Sequence, residues 1–337
     1  MIPSRVTWGV LGTANIGRKA VNPAIRASRN GVLHAIASRD GARAAAFAAE
    51  GGFASSHGSY EALLADGAID AVYIPLPNGM HHRWTIAAAE AGKDILCEKP
   101  LALSRAQCRE MSAAARANGV LLMEAFMYRF HPRTEALIAL VRAGAIGAPR
   151  AIRSTFTFRL DNPANVRFDA TQGGGALMDV GCYCVNVSRT LAGAEPVEVQ
   201  AFATWGPTGV DTELSGALRF ADGLVARFDC ALTMERWEEV QITGADGQLS
   251  TVAAFVPKPD GATIVQVKRR EATVLPFEGG DQYRLMVEHF ADQVLDRRAG
   301  RAAAVRYPAE EAAANLAVIE ALLRSARAAG RPQPVSP

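Results

Sequence analysis

Three side chains in this sequence have the types and spacing for proton transfer at a carbon–oxygen bond. In Gly173-Gly174-Gly175-Ala176-Leu177-Met178-Asp179-Val180-Gly181-Cys182-Tyr183, Asp179 and Tyr183 stand four residues apart. On a helix they would share a face, one turn from each other. A phenol serves as acid or base when a nearby cation lowers its pKa. Lys99, in Glu98-Lys99-Pro100, is the candidate cation. An ammonium is compact and shifts its pKa when partly buried, and the following proline confines it to extended backbone. Taken alone, each segment also reads as ordinary structure: a loop in one case, a helix with a core tyrosine and a solvated aspartate in the other. Their joint presence is what suggests a reaction centre.

A second set of residues has the pattern of a dinucleotide site. Gly12-Thr13-Ala14-Asn15-Ile16-Gly17 follows an apolar run and precedes a helix-compatible stretch. It fits a G-x-A-x-x-G variant of the fingerprint. Gly12 permits the tight turn, small Ala14 lets backbone approach a pyrophosphate, and Gly17 lets helix and strand pack closely. The N–H groups and partial positive charge of the helix N-terminus would face the phosphates. With its middle glycine replaced, the motif is also compatible with a structural turn; the strand before it, the helix after it and its N-terminal place favour a cofactor. The second strand ends in Ala37-Ser38-Arg39-Asp40, where an NAD enzyme usually holds the ribose 2′-hydroxyl with an acid. An arginine there pairs with a 2′-phosphate and stacks on adenine, so Ser38 and Arg39 point to NADP. The alternative is that Asp40 caps the next helix and Arg39 is merely solvated.

Strands and helices alternate over the first 120 or so residues, as they must to position these groups. The strand candidates are Arg5–Leu11, Val32–Ser38, Ala71–Pro75, Asp94–Glu98 and Val120–Glu124, with helical segments Ile16–Ser28, Ala42–Ala49, Trp84–Ala91 and Arg105–Asn118 between them. That order reads as βαβ units and a parallel sheet. Near Gly147–Pro149 the character changes. Ala151–Phe158, Val197–Trp205, Leu214–Phe220, Leu224–Cys230 and Val240–Gly244 are strand-like and bounded by Gly, Asp or Pro, indicating a largely antiparallel sheet. Gly175–Leu191, Gln282–Arg298 and Ala309–Ala329 are helix candidates.

The bulk properties exclude several classes. At 337 residues the chain is too long for one core, so two domains are expected. It is 49% hydrophobic and 21% charged with a net charge of +2, which suits a globular protein and gives no basis for a nucleic-acid or membrane-surface partner. No apolar run approaches the roughly 20 residues of a membrane span. The N-terminus enters a strand at once, leaving no room for an export signal, so a cytoplasmic location is expected. Five cysteines include no C-x-x-C pair, and adjacent His81 and His82 would point apart on a helix. Reduced structural thiols and no metal are expected.

Six segments in order, GVLGTANIG, AVYIPLPN, ILCEKPLAL, MEAFMYRFHP, GGGALMDVGCY and DQYRLMVEHFADQV, resemble the glucose–fructose oxidoreductase/inositol dehydrogenase (Gfo/Idh/MocA) family over nearly the whole chain. The resemblance is to its NADP-dependent branch of aldose dehydrogenases, aldose–aldose oxidoreductases, glucose–fructose oxidoreductase and dimeric dihydrodiol dehydrogenase; inositol dehydrogenase-like members carry histidine where this chain has Tyr183. It implies α/β plus α+β architecture: an NADP-binding Rossmann domain with a doubly wound parallel sheet over 1–125, and a domain over 126–330 with an open-faced, predominantly antiparallel sheet and helices on one face. The latter would bind substrate and form a homodimer. The resemblance places Gly12, Thr13, Ala14, Asn15 and Ile16 at the pyrophosphate and Ser38 with Arg39 at the 2′-phosphate. Pro75, Leu76, Asn78 and His81 would line the ribose–nicotinamide side, with Glu98 and Lys99 beside the nicotinamide. Arg129 would also serve the cofactor. Lys99, Asp179 and Tyr183 would be catalytic and, with Tyr283, substrate-binding; Arg129 and Tyr283 remain open to a packing or surface role. A cis Lys99–Pro100 bond is implied as well. The expected reaction is oxidation at C1 of an aldose such as xylose or glucose to a lactone, extended, where the cofactor is tightly held, to reduction of a second sugar. A trans-dihydrodiol substrate is the alternative within the fold. A cofactor-binding regulator without turnover is the other alternative, against which Lys99, Asp179 and Tyr183 together speak.

Overall fold

The computed structural model describes residues 4–257 and 261–335. Two compact units emerge, Met1–Phe130 with Asp281–Ala313, and His131–Gly280 with Ala314–Pro337.

The first unit is built on six strands, β1 (Val6–Leu11), β2 (Gly31–Ala37), β3 (Ser55–His57), β4 (Ala71–Ile74), β5 (Asp94–Cys97) and β6 (Leu122–Glu124). They form one parallel sheet in the order β3-β2-β1-β4-β5-β6. The strands β4 and β5 are buried at every position, as expected where helices cover both faces. Strand order reverses between β1 and β4, and in open α/β sheets that switch point is where the carboxyl ends open a crevice. The turns after β1, β4 and β5 carry Gly12, Leu76 and Lys99. This is the parallel sheet expected from the alternation, doubly wound as the resemblance implies, with the short edge strand β3 added to the five that the sequence marked.

The helix Gln282–Arg298 clusters with this first unit rather than within a contiguous domain over 126–330. Its buried Met286, Phe290 and Val294 supply the reason. The Phe290 ring packs on Trp8 of β1 with centroids 5.6 Å apart, Asn30 donates to the Glu288 carbonyl at 2.8 Å, and Arg297 pairs with buried Asp94 at 2.7 Å. Helical periodicity announces such a face but not the sheet that it covers.

The second unit holds nine strands, β7 (Pro149–Arg159), β8 (Glu198–Trp205), β9 (Asp211–Arg219), β10 (Val225–Ala231), β11 (Thr233–Gly244), β12 (Gln248–Val252), β13 (Ala262–Lys268), β14 (Glu271–Phe277) and β15 (Gln333–Pro334). Their order is β14-β13-β12-β11-β7-β10-β9-β8-β15, antiparallel at each pairing except β10 with β7. Alternating burial along β8 and β10 marks one covered and one open face. Phe202, Trp237 and Val252 are exposed. Trp237 lies on the same face as Glu239, which pairs with Val252.

Candidate active site

In the first unit the glycine-rich turn is shaped by contacts that only glycine allows. The Gly12 N–H donates to the Ala37 carbonyl at 2.9 Å, tying the turn to the end of β2. Gly12 has φ +109°, and a Cβ there would stand 2.9 Å from a Leu76 methyl. Thr13, Ala14 and Ile16 are half-buried and Asn15 is exposed. Helix begins at Asn15, passes through a π-helical stretch Gly17–Val21 and continues over Asn22–Ala27. Its first-turn N–H groups have no intrahelical acceptor, and the turn itself carries no acidic residue. That is the chemistry of an anion cradle.

At the end of β2 the structure shows the capping role of the Ser-Arg-Asp segment. Asp40 caps the helix Gly41–Gly51 by accepting the Arg43 N–H at 3.1 Å, so its carboxylate is turned to the helix. Arg39 remains exposed and Ser38 is buried beside it. Sequence reasoning missed Tyr60, whose hydroxyl lies 3.9 Å from where a Gly12 Cβ would stand. Burial raises the pKa of this phenol, against the charges of Arg39 and Arg43, which lower it.

Beyond β4 and β5 a buried network fixes the loops. His81 is wholly buried, one ring nitrogen 2.7 Å from the Leu76 carbonyl and the other 3.0 Å from that of Pro100. Burial lowers its pKa, with backbone hydrogen bonds opposing and nearby Lys99 assisting. So placed, His81 fastens the Leu76 loop to the Lys99 loop and does not itself line a surface; Pro75 and Leu76 are buried, while Asn78 is half-buried at the start of the helix Asn78–Glu90. The Lys99–Pro100 bond is cis. Tyr73 donates to Glu98 Oε1 at 2.6 Å, and the Lys99 N–H donates to Oε2 at 3.2 Å. Burial, then Glu98, hold the Tyr73 phenol well above its usual pKa, so it stays a donor. Tyr283, in the first turn of the helix Gln282–Arg298, is close enough to act on Tyr73.

Arg129 sits 3.5 Å above the Tyr307 ring, donates to Glu311 at 2.7 Å and is 7% exposed. Stacked and paired in this way, Arg129 makes the packing contacts that its sequence left open beside a cofactor role.

In the second unit the glycine run is threaded between two elements. A Cβ on Gly174 would strike the Arg167 carbonyl, and one on Gly175, at φ +115°, would strike the Asp211 carboxylate. Asp211 Oδ2 accepts the Leu177 N–H at 2.7 Å and so anchors the start of the helix. The expected α-helix from Gly175 opens instead as a π-helical stretch, Leu177–Gly181, followed by α-helix Cys182–Ala192. Such widenings recur at functional sites.

This widened segment carries Asp179, with Tyr183 just after it. Asp179 Oδ2 accepts from Arg167 Nε at 2.6 Å; Arg167, in the short turn Val166–Phe168, was not singled out by its sequence. The Tyr183 ring meets Phe156 and Phe255 at 5.3 Å each, and those two rings stack at 5.2 Å. Buried Arg133 donates to the carbonyls of Val252, Ala253 and Ala254 and so fixes the loop bearing Phe255. Lys99 and Tyr283 belong to the first unit, Asp179 and Tyr183 to the second.

All five cysteines are buried and free, and burial pushes the Cys184 thiol up to about 12. Among the described residues, no group of three or more His, Cys, Asp or Glu could hold a metal, and no helix is long and apolar enough to cross a membrane.

Comparison with known proteins adds to this geometry. Residues 6–126 match the oxidoreductase family with the NAD-binding Rossmann fold, and residues 134–250 match the Gfo/Idh/MocA C-terminal domain. The chain is 42% identical to a D-xylose 1-dehydrogenase (NADP(+)) of Haloferax volcanii, covering 95% of this chain and 97% of that one. A 3-ketoreductase of Actinomadura kijaniata, solved with NADP and TDP-benzene, superposes with TM-score 0.89 at 28% identity over 95% of this chain and 98% of that one. The aldose–aldose oxidoreductase of Caulobacter crescentus, solved with glycerol, superposes with TM-score 0.88 at 26% identity over 98% and 99%.

Proposed function

The chain belongs to the Gfo/Idh/MocA oxidoreductase family, and from that premise we propose that it oxidises an aldose such as xylose or glucose at C1, with NADP, to the lactone. What carries this reading is the near full-length likeness to an NADP-dependent xylose dehydrogenase.

The residues present fit a dinucleotide. The first-turn N–H groups after Gly12, with Thr13, Ala14, Asn15 and Ile16, would hold the pyrophosphate. Exposed Arg39 with Ser38 would take the 2′-phosphate, since the adjacent carboxylate, Asp40, is committed to a helix cap. Asn78 and Glu98 would bind on the ribose–nicotinamide side, Pro75 and Leu76 shaping the backbone there and His81 bracing it. Bound NADP supplies the two-electron acceptor.

The protein's own task is the proton. Tyr183, or Lys99 in its place, takes it from the C1 hydroxyl as hydride leaves C1 for the cofactor, and with Tyr183 as base Lys99 stabilises the phenolate and the developing alkoxide. Asp179, held by Arg167, orients another sugar hydroxyl, with Tyr283 contributing on the substrate side. If the cofactor is retained between turnovers, a second sugar is reduced in its turn. The free cysteines suit a reducing, cytoplasmic setting, and the open sheet face with Trp237 and Val252 suits a homodimer.

A panel of aldoses and trans-dihydrodiols, followed at the reduced-nicotinamide absorbance band, tests the reading. Xylose or glucose should reduce NADP. Turnover of a diol with none of any aldose would replace the substrate class, and no turnover of either would favour the regulator.

A further inference from the structure

Tyr60 has features that a packing role alone does not use. The residue opens the short helix Tyr60–Leu64, which Ser59 caps by accepting the Ala62 N–H at 3.0 Å. Its ring is 6% exposed and meets Trp84 edge-on, centroids 4.8 Å apart at 82°. The phenol is therefore fixed in place. Yet its hydroxyl emerges at the dinucleotide turn, 3.9 Å from where a Gly12 Cβ would stand. There the Gly12 N–H is bonded to the Ala37 carbonyl, two residues before Arg39, and the charges of Arg39 and Arg43 bear on the phenol. Burial keeps the phenol neutral, and its oxygen can then accept an N–H from a guanidinium.

Arg39, by contrast, is exposed at the end of β2. Free arginine side chains lose rotamer freedom when they bind, and a side chain already held in its bound orientation loses less. We propose that Tyr60 is a positioning residue for cofactor selectivity: its rigid hydroxyl holds the Arg39 guanidinium so that the fork meets a 2′-phosphate. This rests on the assignment of Arg39 to that phosphate. NAD has no group there, so the phenol should matter to NADP and not to NAD.

Tyr60→Phe keeps the ring on Trp84 and removes only the oxygen. Titrations of the full-length protein with NADP and NAD, and with adenosine 2′,5′-bisphosphate and AMP as probes of the adenosine end, read the effect. Tyr60→Phe should weaken NADP and the bisphosphate about tenfold, in line with loss of a hydrogen bond to a charged group, and change NAD and AMP less than about twofold. In an Arg39→Ala background it should cost nothing further, because residues acting as one unit are not additive. Equal weakening of both cofactors, or a full additional loss in that background, would overturn the inference. Arg39→Lys, with Tyr60 intact, keeps the charge but lacks the fork; undiminished NADP preference in that variant would overturn it too. An Arg39→Ala protein that still prefers NADP would instead remove the 2′-phosphate assignment beneath it.

Discussion

Tyr183 is braced by Phe156 and Phe255, and those ring contacts do not depend on its hydroxyl. Tyr183→Phe therefore isolates the chemistry from the packing. Turnover should fall by about two orders of magnitude or more, the scale of general acid–base catalysis, with NADP affinity preserved. Lys99→Met should fall as far, and the double variant little further if the pair acts as one unit. Single-turnover NADP reduction by xylose, alongside cofactor titration, checks all three; a fast Tyr183→Phe would leave Lys99 as the base. The three residues expected to catalyse were legible because their types announce chemistry within short motifs. Arg167, Asp211 and Phe255 were not. Each acts through a contact across the fold, 12, 34 and 72 residues from its partner Asp179, Leu177 or Tyr183, and no local pattern encodes such a meeting.

For the helix that bears Asp179, the informative partner is Asp211. Burial pushes its carboxyl up to about 7, against hydrogen bonds from Leu177 and Ala176 and the charge of Arg327, which pull it down. The sign follows from linkage. In the unfolded chain this group ionises near its ordinary 3.8, while in the folded protein it holds its proton until about 7. Its contribution to stability is thus fully present below about 3.8, declines as pH rises and is lost by about 7. His131 and His289, both lowered to about 4 chiefly by burial, act in the opposite direction, losing stability as pH falls from about 6.5. The difference between wild type and Asp211→Asn cancels their share. Asparagine retains an acceptor for the Leu177 N–H, so urea midpoints should show the variant gaining on wild type between pH 4 and 7. Parallel curves would place the Asp211 carboxyl at its ordinary pKa. As for legibility, the parallel sheet apart from the three-residue β3, and the strands β7 to β11, were readable from periodicity. The strands β12, β13 and β14 were not: β12 is five residues long and buries only Leu249 and Thr251, and β13 and β14 bury almost nothing, so no covered face marks them. The π-helical opening of the glycine-led helix has no sequence signature of its own.

Taken whole, the molecule presents a nine-stranded sheet with a bare face and two blunted edges. The edge strand β15 is two residues long and ends in Pro334, and β14 carries Pro276; short or proline-bearing edges discourage strand-to-strand aggregation. The bare face is different, with Trp237 about half exposed beside Val252. If this face carries the proposed homodimer, light scattering at micromolar concentration should give a dimer for wild type and a monomer for Trp237→Lys, with little loss of thermal stability. A monomeric wild type would remove the proposed dimer, and an unchanged dimer in the variant would remove this face from it.

One feature of the chain path bears on how the protein is made. The polypeptide leaves its first unit at Phe130 and re-enters it at Asp281, and only then does Phe290 reach Trp8. Synthesis runs from the N-terminus, so the parallel sheet spends about 150 further residues of translation without the helix that seals β1. Pairings so distant in sequence form slowly, and the nascent sheet meanwhile shows an uncovered apolar flank to chaperones and to other chains. A fragment ending at Phe130 should accordingly expose that flank and bind a hydrophobic dye. Supplying residues 281–313 on a flexible linker should quench the dye, whereas an equally long unrelated helix should not.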